Sequence, residues 1–161
     1  MNMITEKKLP INIKSVICTN KQDYGNSPFK FIISYQVTSP AEEELKVKFT
    51  YINASSNSGT EEVLEKFALP LRKRGKFRIN LNIRSISIKE ELSQLFSSSS
   101  AITLSFQFED QEFLRVGYYI FFDVQDRYDN EGIIENENFS ISRIKRSVSK
   151  KPLITKFFLG G

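Results

Sequence analysis

Catalysis depends on side chains that can move protons, attack as nucleophiles or ligate metals, and here the most versatile of these are missing. The 161 residues contain no histidine and one cysteine, Cys18. Ser-His-Asp triads, Cys-His pairs and histidine-ligated zinc are therefore excluded. A single cysteine also excludes an intrachain disulfide and a four-cysteine metal site. No catalytic residue, metal ligand or cofactor is expected. Cys18 reads as a small buried apolar side chain, and such sparing use of cysteine suits a reducing compartment.

The side chains that remain are those of recognition. In Gln111-Glu-Phe-Leu-Arg-Val-Gly-Tyr-Tyr-Ile120, strand alternation turns Leu114, Val116, Tyr118 and Ile120 to one side. Phe113, Arg115, Gly117, Tyr119 and Phe121 then face the other. Arg115 and Tyr119 would stand about 13 Å apart on that face. Gly117 leaves a shallow trough between them, wide enough for a helix about 10 Å across. Arg and Tyr are enriched at interface hot spots. On the residues alone a plainer arrangement is favoured, with Arg115 in a surface ion pair and the aromatics under a second layer.

Charge is unevenly spread. The net value of +4 hides nine acids against two bases between residues 101 and 138, and six bases with no acid between 143 and 161. Arg72-Lys-Arg-Gly-Lys-Phe-Arg78 holds five bases in seven residues. Such clusters are usually solvated, and contact with nucleic acid is the sharper alternative. The acidic runs Glu42-Glu-Glu44 and Glu61-Glu62 could meet a basic peptide, but nothing gathers them into an acid–base site.

The elements that must position these groups are strands. Hydrophobic residues make up 40% of the chain, with 14 Phe, which is enough for a core of its own. Apolar residues alternate with polar ones over residues 11–17, at Phe29–Val37, at Leu45, Val47, Phe49 and Tyr51, at Phe77–Ile83, and at Ile102–Phe108. Leu114–Ile120 and residues 152–159 add two more strands, the last a candidate edge that could accept a partner strand. Short helical spacing is read over residues 61–67 and 89–96, with a third, weaker stretch over 140–149; residues 123–137 read as a polar loop. The fold class expected is all-β: an elongated antiparallel sandwich of immunoglobulin-like type, one domain over residues 1–161 with its core near 11–159, and short helices in the connections. A barrel is the alternative. No run approaches a membrane span, and the first residues lack the apolar stretch of a signal peptide.

The block from Gln111 to Ile120 resembles the signature strand of the anti-silencing-function histone chaperones, Glu-Phe-(Ile/Val)-Arg-Val-Gly-Tyr-Tyr-Val. Lys151-Pro-Leu-Ile-Thr-Lys-Phe157 is similar to that family's Pro-Arg-Val-Thr-Arg-Phe segment. Phe29-Lys-Phe-Ile-Ile-Ser-Tyr35 and Glu43-Glu-Leu-Lys-Val-Lys-Phe-Thr-Tyr51 add a weaker match, and order and spacing agree. The resemblance implies a nuclear protein, with a cytoplasmic pool, that binds one heterodimer of histones three and four. It implies histone-three contacts at Arg115, Tyr119, Ala101, Thr103 and Glu61. It implies pairing of the histone-four C-terminal segment with Leu153, Ile154, Thr155, Lys156 and Phe157. Glu43 and Glu44 would contact downstream chromatin-assembly chaperones; nucleic acid would be reached only indirectly, and membrane not at all.

The departures are specific. Ser99, Ala101 and Thr103 stand where the family carries Val and Leu, which removes apolar burial on the order of a few kcal/mol. Lys46 stands where the family has an acid, and the chain is net basic. Two alternatives follow: an immunoglobulin-like interaction adaptor with weakened histone binding, and a basic nucleic-acid-binding β domain.

Overall fold

The computed structural model describes residues 6–53, 60–85, 100–124 and 144–160. They form ten strands: β1 (Ile11–Cys18), β2 (Gln22–Tyr24), β3 (Phe29–Val37), β4 (Leu45–Asn53), β5 (Thr60–Leu69), β6 (Gly75–Ile83), β7 (Ser100–Phe108), β8 (Gln111–Val124), β9 (Ile144–Val148) and β10 (Leu153–Lys156). One antiparallel sheet has the order β1-β3-β6. The other runs β2-β9-β8-β7-β4-β5, with β10 also paired to β8. The two curl into a sandwich of immunoglobulin-like type, as the alternation predicts.

The core forms where the inner faces meet. Phe29, Phe31 and Ile33 of β3 are fully buried, as are Phe49, Ile102, Leu104 and Phe106 of the facing sheet. The rings of Phe29 and Phe31 lie 5.4 and 5.5 Å from that of Phe49, and Phe31 lies 5.7 Å from Tyr118. Tyr118 Oη donates to the Val16 carbonyl at 2.8 Å, which ties β8 to β1 across the layers. Burial pushes the Tyr118 phenol up to about 12.

Four expectations need correcting. Residues 61–67 are strand, part of β5, and not helix. The pairing of β5 with β4 shifts between Phe49 and Thr50, so β5 carries one extra residue there. That bulge puts Leu64 and Phe67 on the same side at a spacing of three, which in the sequence imitates helical period. Residues 144–148 are also strand, β9, and not part of a helix. Their alternation was hidden because the central inward position is Arg146, which is 0% exposed. Its guanidinium donates to the carbonyls of Ser27 and Pro28 and lies 3.8 Å from the Phe29 ring centroid. Desolvation lowers its pKa to about 10, against the opposing field of Asp23.

The third correction concerns Phe113, expected outward but only 9% exposed. The β7–β8 register slips between Phe106 and Gln107, and the bulge lets both Phe113 and Leu114 turn inward. The Phe113 ring packs 6.4 Å from that of Phe106. The expected last strand is shorter than 152–159: regular pairing ends at Lys156. The helix expected over 89–96, and most of the loop expected over 123–137, lie outside the described residues.

Candidate functional site

Cross-strand register builds the outer face of the larger sheet in rows. Glu61 of β5 pairs with Ile52 of β4, Ile52 with Ala101 of β7, and Ala101 with Tyr119 of β8. The next row is Val63, Thr50, Thr103, Gly117 and Leu153. The one after it is Lys66, Lys48, Ser105, Arg115 and Thr155. Residues in a row point the same way, so Arg115, Tyr119, Ala101, Thr103 and Glu61 share one face. At about 4.8 Å per strand, Glu61 and Tyr119 are about 14 Å apart.

Among the described residues the face is open along β8, while Thr50 and Ser105 in its middle are buried between their larger neighbours. Tyr119 is 48% exposed and Phe121 62%, so no second layer covers them there. The other half of the plainer arrangement does hold, because Arg115 is in an ion pair. Its Nη2 donates to Glu112 Oε1 at 2.7 Å and its Nε to Oε2 at 3.2 Å. Ser105 Oγ donates to the same carboxylate. The Arg115 guanidinium also lies 5.4 Å from the Phe157 ring centroid, while half of its side chain remains exposed. Arg115 is thus a cation held in place from one side and free on the other.

Tyr119 is fixed through its backbone. Its N–H donates to Ser149 Oγ at 3.1 Å, and its carbonyl accepts from the Ser149 N–H at 2.9 Å. Ser149 stands where β9 ends, just before β10 begins to pair lower on β8. Between Arg115 and Tyr119, a Cβ built on Gly117 would come no closer than 3.7 Å to Thr103 Cγ2. That is ordinary contact, so the fold does not require glycine here; its absent side chain keeps the trough floor low.

β10 pairs with β8 from Leu153↔Gly117 to Lys156↔Leu114, and all four of its residues are exposed. Leu153 and Thr155 extend the open face. Ile154 and Lys156 turn to the other side, where they line a cavity of about 370 Å³ with Ile13, Leu114, Val116 and Leu159. Phe157 lies just past the strand, its N–H donating to the Phe113 carbonyl at 3.1 Å. Among the described residues the far edge of β10 has no strand beside it.

Glu43 and Glu44 are exposed and sit before Leu45, at the opposite end of β4 from Ile52. Seven residues of strand, about 23 Å, separate that end from the Glu61–Tyr119 row. The Lys48–Arg115 row is nearer, three residues or about 10 Å along β4 from Leu45, so Glu43 and Glu44 lie just beyond that end of the face and not within its rows. Lys46 beside them pairs with Asp110 at 3.3 Å.

Sequence reasoning did not place Ile52, Val63, Leu153 or Ser105 on this face. The outward alternation of β4 could have revealed Ile52; Val63 was hidden by the bulge, and Leu153 by the unknown pairing of β10. Ser99 lies outside the described residues. Among the described residues no group of three or more His, Cys, Asp or Glu could hold a metal. The face can grip a partner by shape, charge and strand edge.

Known proteins agree with that character. Residues 9–159 match the profile described as ASF1 like histone chaperone. The chain is 29% identical over 155 residues to "Histone chaperone cia1" of Schizosaccharomyces pombe, covering 91% of this chain and 58% of that protein. It is 29% identical over 153 residues to "Histone chaperone ASF1B" of Arabidopsis thaliana, covering 91% and 67%. It is 27% identical over 150 residues to "Histone chaperone asf1" of Dictyostelium discoideum, covering 91% and 95%. The chain thus spans less than two thirds of the length of the fission-yeast relative it matches and nearly all of the Dictyostelium one. With the profile matched along almost its whole length, the chain belongs to the ASF1-like family of histone chaperones.

Proposed function

We propose that this chain binds a heterodimer of histones three and four and shields the histone-three surface that would otherwise form the tetramer. It acts by stoichiometric binding in nucleosome assembly and disassembly, in the nucleus with a cytoplasmic pool. The observation that carries this reading is the shared open face: Arg115, Tyr119, Ala101, Thr103 and Glu61 lie in adjoining rows of one sheet. A histone-three helix would lie across the Gly117 floor, with Arg115 and Tyr119 as anchors and Glu61 facing basic side chains. The smaller apolar surface of Ala101 and Thr103 is offset by Ile52, Val63 and Leu153, which add apolar surface in the same rows. The histone-four C-terminal segment would add as a strand along β10 through Phe157, at the edge that has no neighbour among the described residues.

Glu43 and Glu44 are proposed to bind a basic segment of downstream chromatin-assembly chaperones, at a site beyond the Arg115 end of the face and about 23 Å along the sheet from the Glu61–Tyr119 row. The adjacent Lys46, neutralised in part by Asp110, makes that site less acidic than the resemblance implies.

Size-exclusion chromatography with purified histone three–four dimer tests the main reading. Co-elution at moderate salt is expected, with hydrogen-exchange protection gained at the β10 amides. Separate elution, or co-elution that Arg115→Glu leaves untouched, would overturn it.

A further inference from the structure

The basic cluster at residues 72–78 has no part in that face, and the structure shows what it belongs to. The smaller sheet is built from Ile-Asn-Ile-Lys-Ser-Val-Ile-Cys, Phe-Lys-Phe-Ile-Ile-Ser-Tyr-Gln-Val and Gly-Lys-Phe-Arg-Ile-Asn-Leu-Asn-Ile, three strands without one carboxylate. Its outer face carries Lys14, Lys30, Lys76 and Arg78, all exposed. Arg72, Lys73 and Arg74, also exposed, extend the positive charge from the turn that leads into β6. Among the described residues none of these seven side chains is in an ion pair. Lys14 of β1 faces Lys76 and Arg78 of β6 across a shallow depression of about 370 Å³ over Ser34. Like charges gathered without a counter-ion repel, and that repulsion is relieved when a polyanion lies over them.

We propose that the outer face of the β1-β3-β6 sheet binds the phosphate backbone of duplex DNA. Three features select this occupant. The neutral side chains among the cations include the amides and hydroxyls of Asn12, Gln36, Ser34, Asn80 and Asn82, which donate to phosphate and sugar oxygens, beside one apolar pair, Ile17 and Ile32. No aromatic residue of these strands is fully exposed: Phe29, Phe31 and Tyr35 are buried, and Phe77, partly buried, stacks on Tyr35 at 5.4 Å where the two rings border the depression. A face without fully exposed rings has no platform for unstacked bases, so it suits a duplex over a single strand. The cations flank a groove and are not confined to one flexible run, so they can follow a rigid rod of charge. The acidic triplet Glu42–Glu44 borders one end, where the Ala41 N–H donates to the Leu71 carbonyl, and sets the limit of the surface there.

This face lies on the opposite side of the sandwich from Arg115 and Tyr119, because the inner faces of the two sheets meet in the core. The proposal does not rest on histone binding, and its test uses none. Fluorescence anisotropy with a labelled duplex of arbitrary sequence is the assay. Four phosphate contacts predict a slope of log K against log salt of about −3.6, so affinity falls by about 150-fold between about 50 and about 200 mM salt. Lys76→Glu/Arg78→Glu is expected to weaken binding at least about tenfold and to flatten the slope by about 2. Lys76→Gln/Arg78→Gln, with an unchanged melting curve, controls for folding and should give an intermediate loss. Arg115→Glu should leave DNA affinity unchanged. The proposal is overturned by no measurable binding at low salt, by indifference to the β6 substitutions, by tighter binding to single-stranded DNA, or by polyglutamate of equal charge competing as well as the duplex.

Discussion

Replacing Arg115 by alanine should separate folding from partner binding. In the free protein Arg115 makes a forked ion pair with Glu112 and lies against Phe157, with half of its side chain in water. An exposed pair of this kind contributes about 0.2–1 kcal/mol, and an exposed cation–π contact about 0.5–1 kcal/mol. The substitution should therefore cost about 1–1.5 kcal/mol of stability. At about 2–4 °C per kcal/mol for a domain of this size, the melting temperature should fall by about 2–6 °C. At the interface the same side chain would be a central anchor, for which truncation costs about 2–4 kcal/mol, or about 30- to 900-fold in affinity. Thermal melts followed by circular dichroism give the first quantity, and titration of a labelled histone three–four dimer gives the second. A threefold loss of affinity or less, beside an unchanged melt, would refute the anchor role. A fall in melting temperature above about 10 °C would show that Arg115 is a folding residue, contrary to the geometry.

Three further outcomes follow from the same structure. Gly117→Val should leave a folded protein, since its Cβ meets only ordinary contacts, yet it should raise the trough floor and weaken histone binding by at least about tenfold; an unchanged titration would show that nothing lies over Gly117. Arg146→Ala removes a buried side chain and strands two carbonyls, so chemical denaturation should show a loss of about 3–5 kcal/mol, with Arg146→Met recovering part of it by filling the space; a loss below about 1 kcal/mol would contradict the buried role. Asp23 is held at about 2, below its ordinary 3.8, by hydrogen bonds chiefly from Asn20 and also from Tyr24 and Ser27. Its folded pKa is depressed, so its contribution is complete above about 4 and fades as pH falls towards about 2. The melting difference between the wild type and Asp23→Asn should accordingly be constant at neutral pH and shrink across that window; a difference that persists unchanged at pH about 2 would disprove the linkage.

Composition and local pattern determined much of this protein. The lack of histidine and the single cysteine closed off most catalytic and metal chemistry before any fold was known. Alternation placed β3, β4, β7 and most of β8, because strand periodicity is a property of neighbouring residues. The Arg115–Gly117–Tyr119 face was legible for the same reason. What tertiary structure decided is whatever depends on pairing between distant segments. Bulges opposite Phe49 and Phe106 shifted the parity of β5 and β8, so Leu64 and Phe67 imitated a helix and Phe113 turned inward. β9 was invisible because a buried cation interrupts its apolar alternation, an arrangement that only the carbonyls of Ser27 and Pro28 and the Phe29 ring make tolerable. Glu61, Ile52, Ala101 and Tyr119 became one row only through three successive registers. The basic cluster became one end of a sheet face without carboxylates only when β1, β3 and β6 were set side by side. Register and strand order are long-range choices, made by which inner faces fit together in the core, and no local period encodes them.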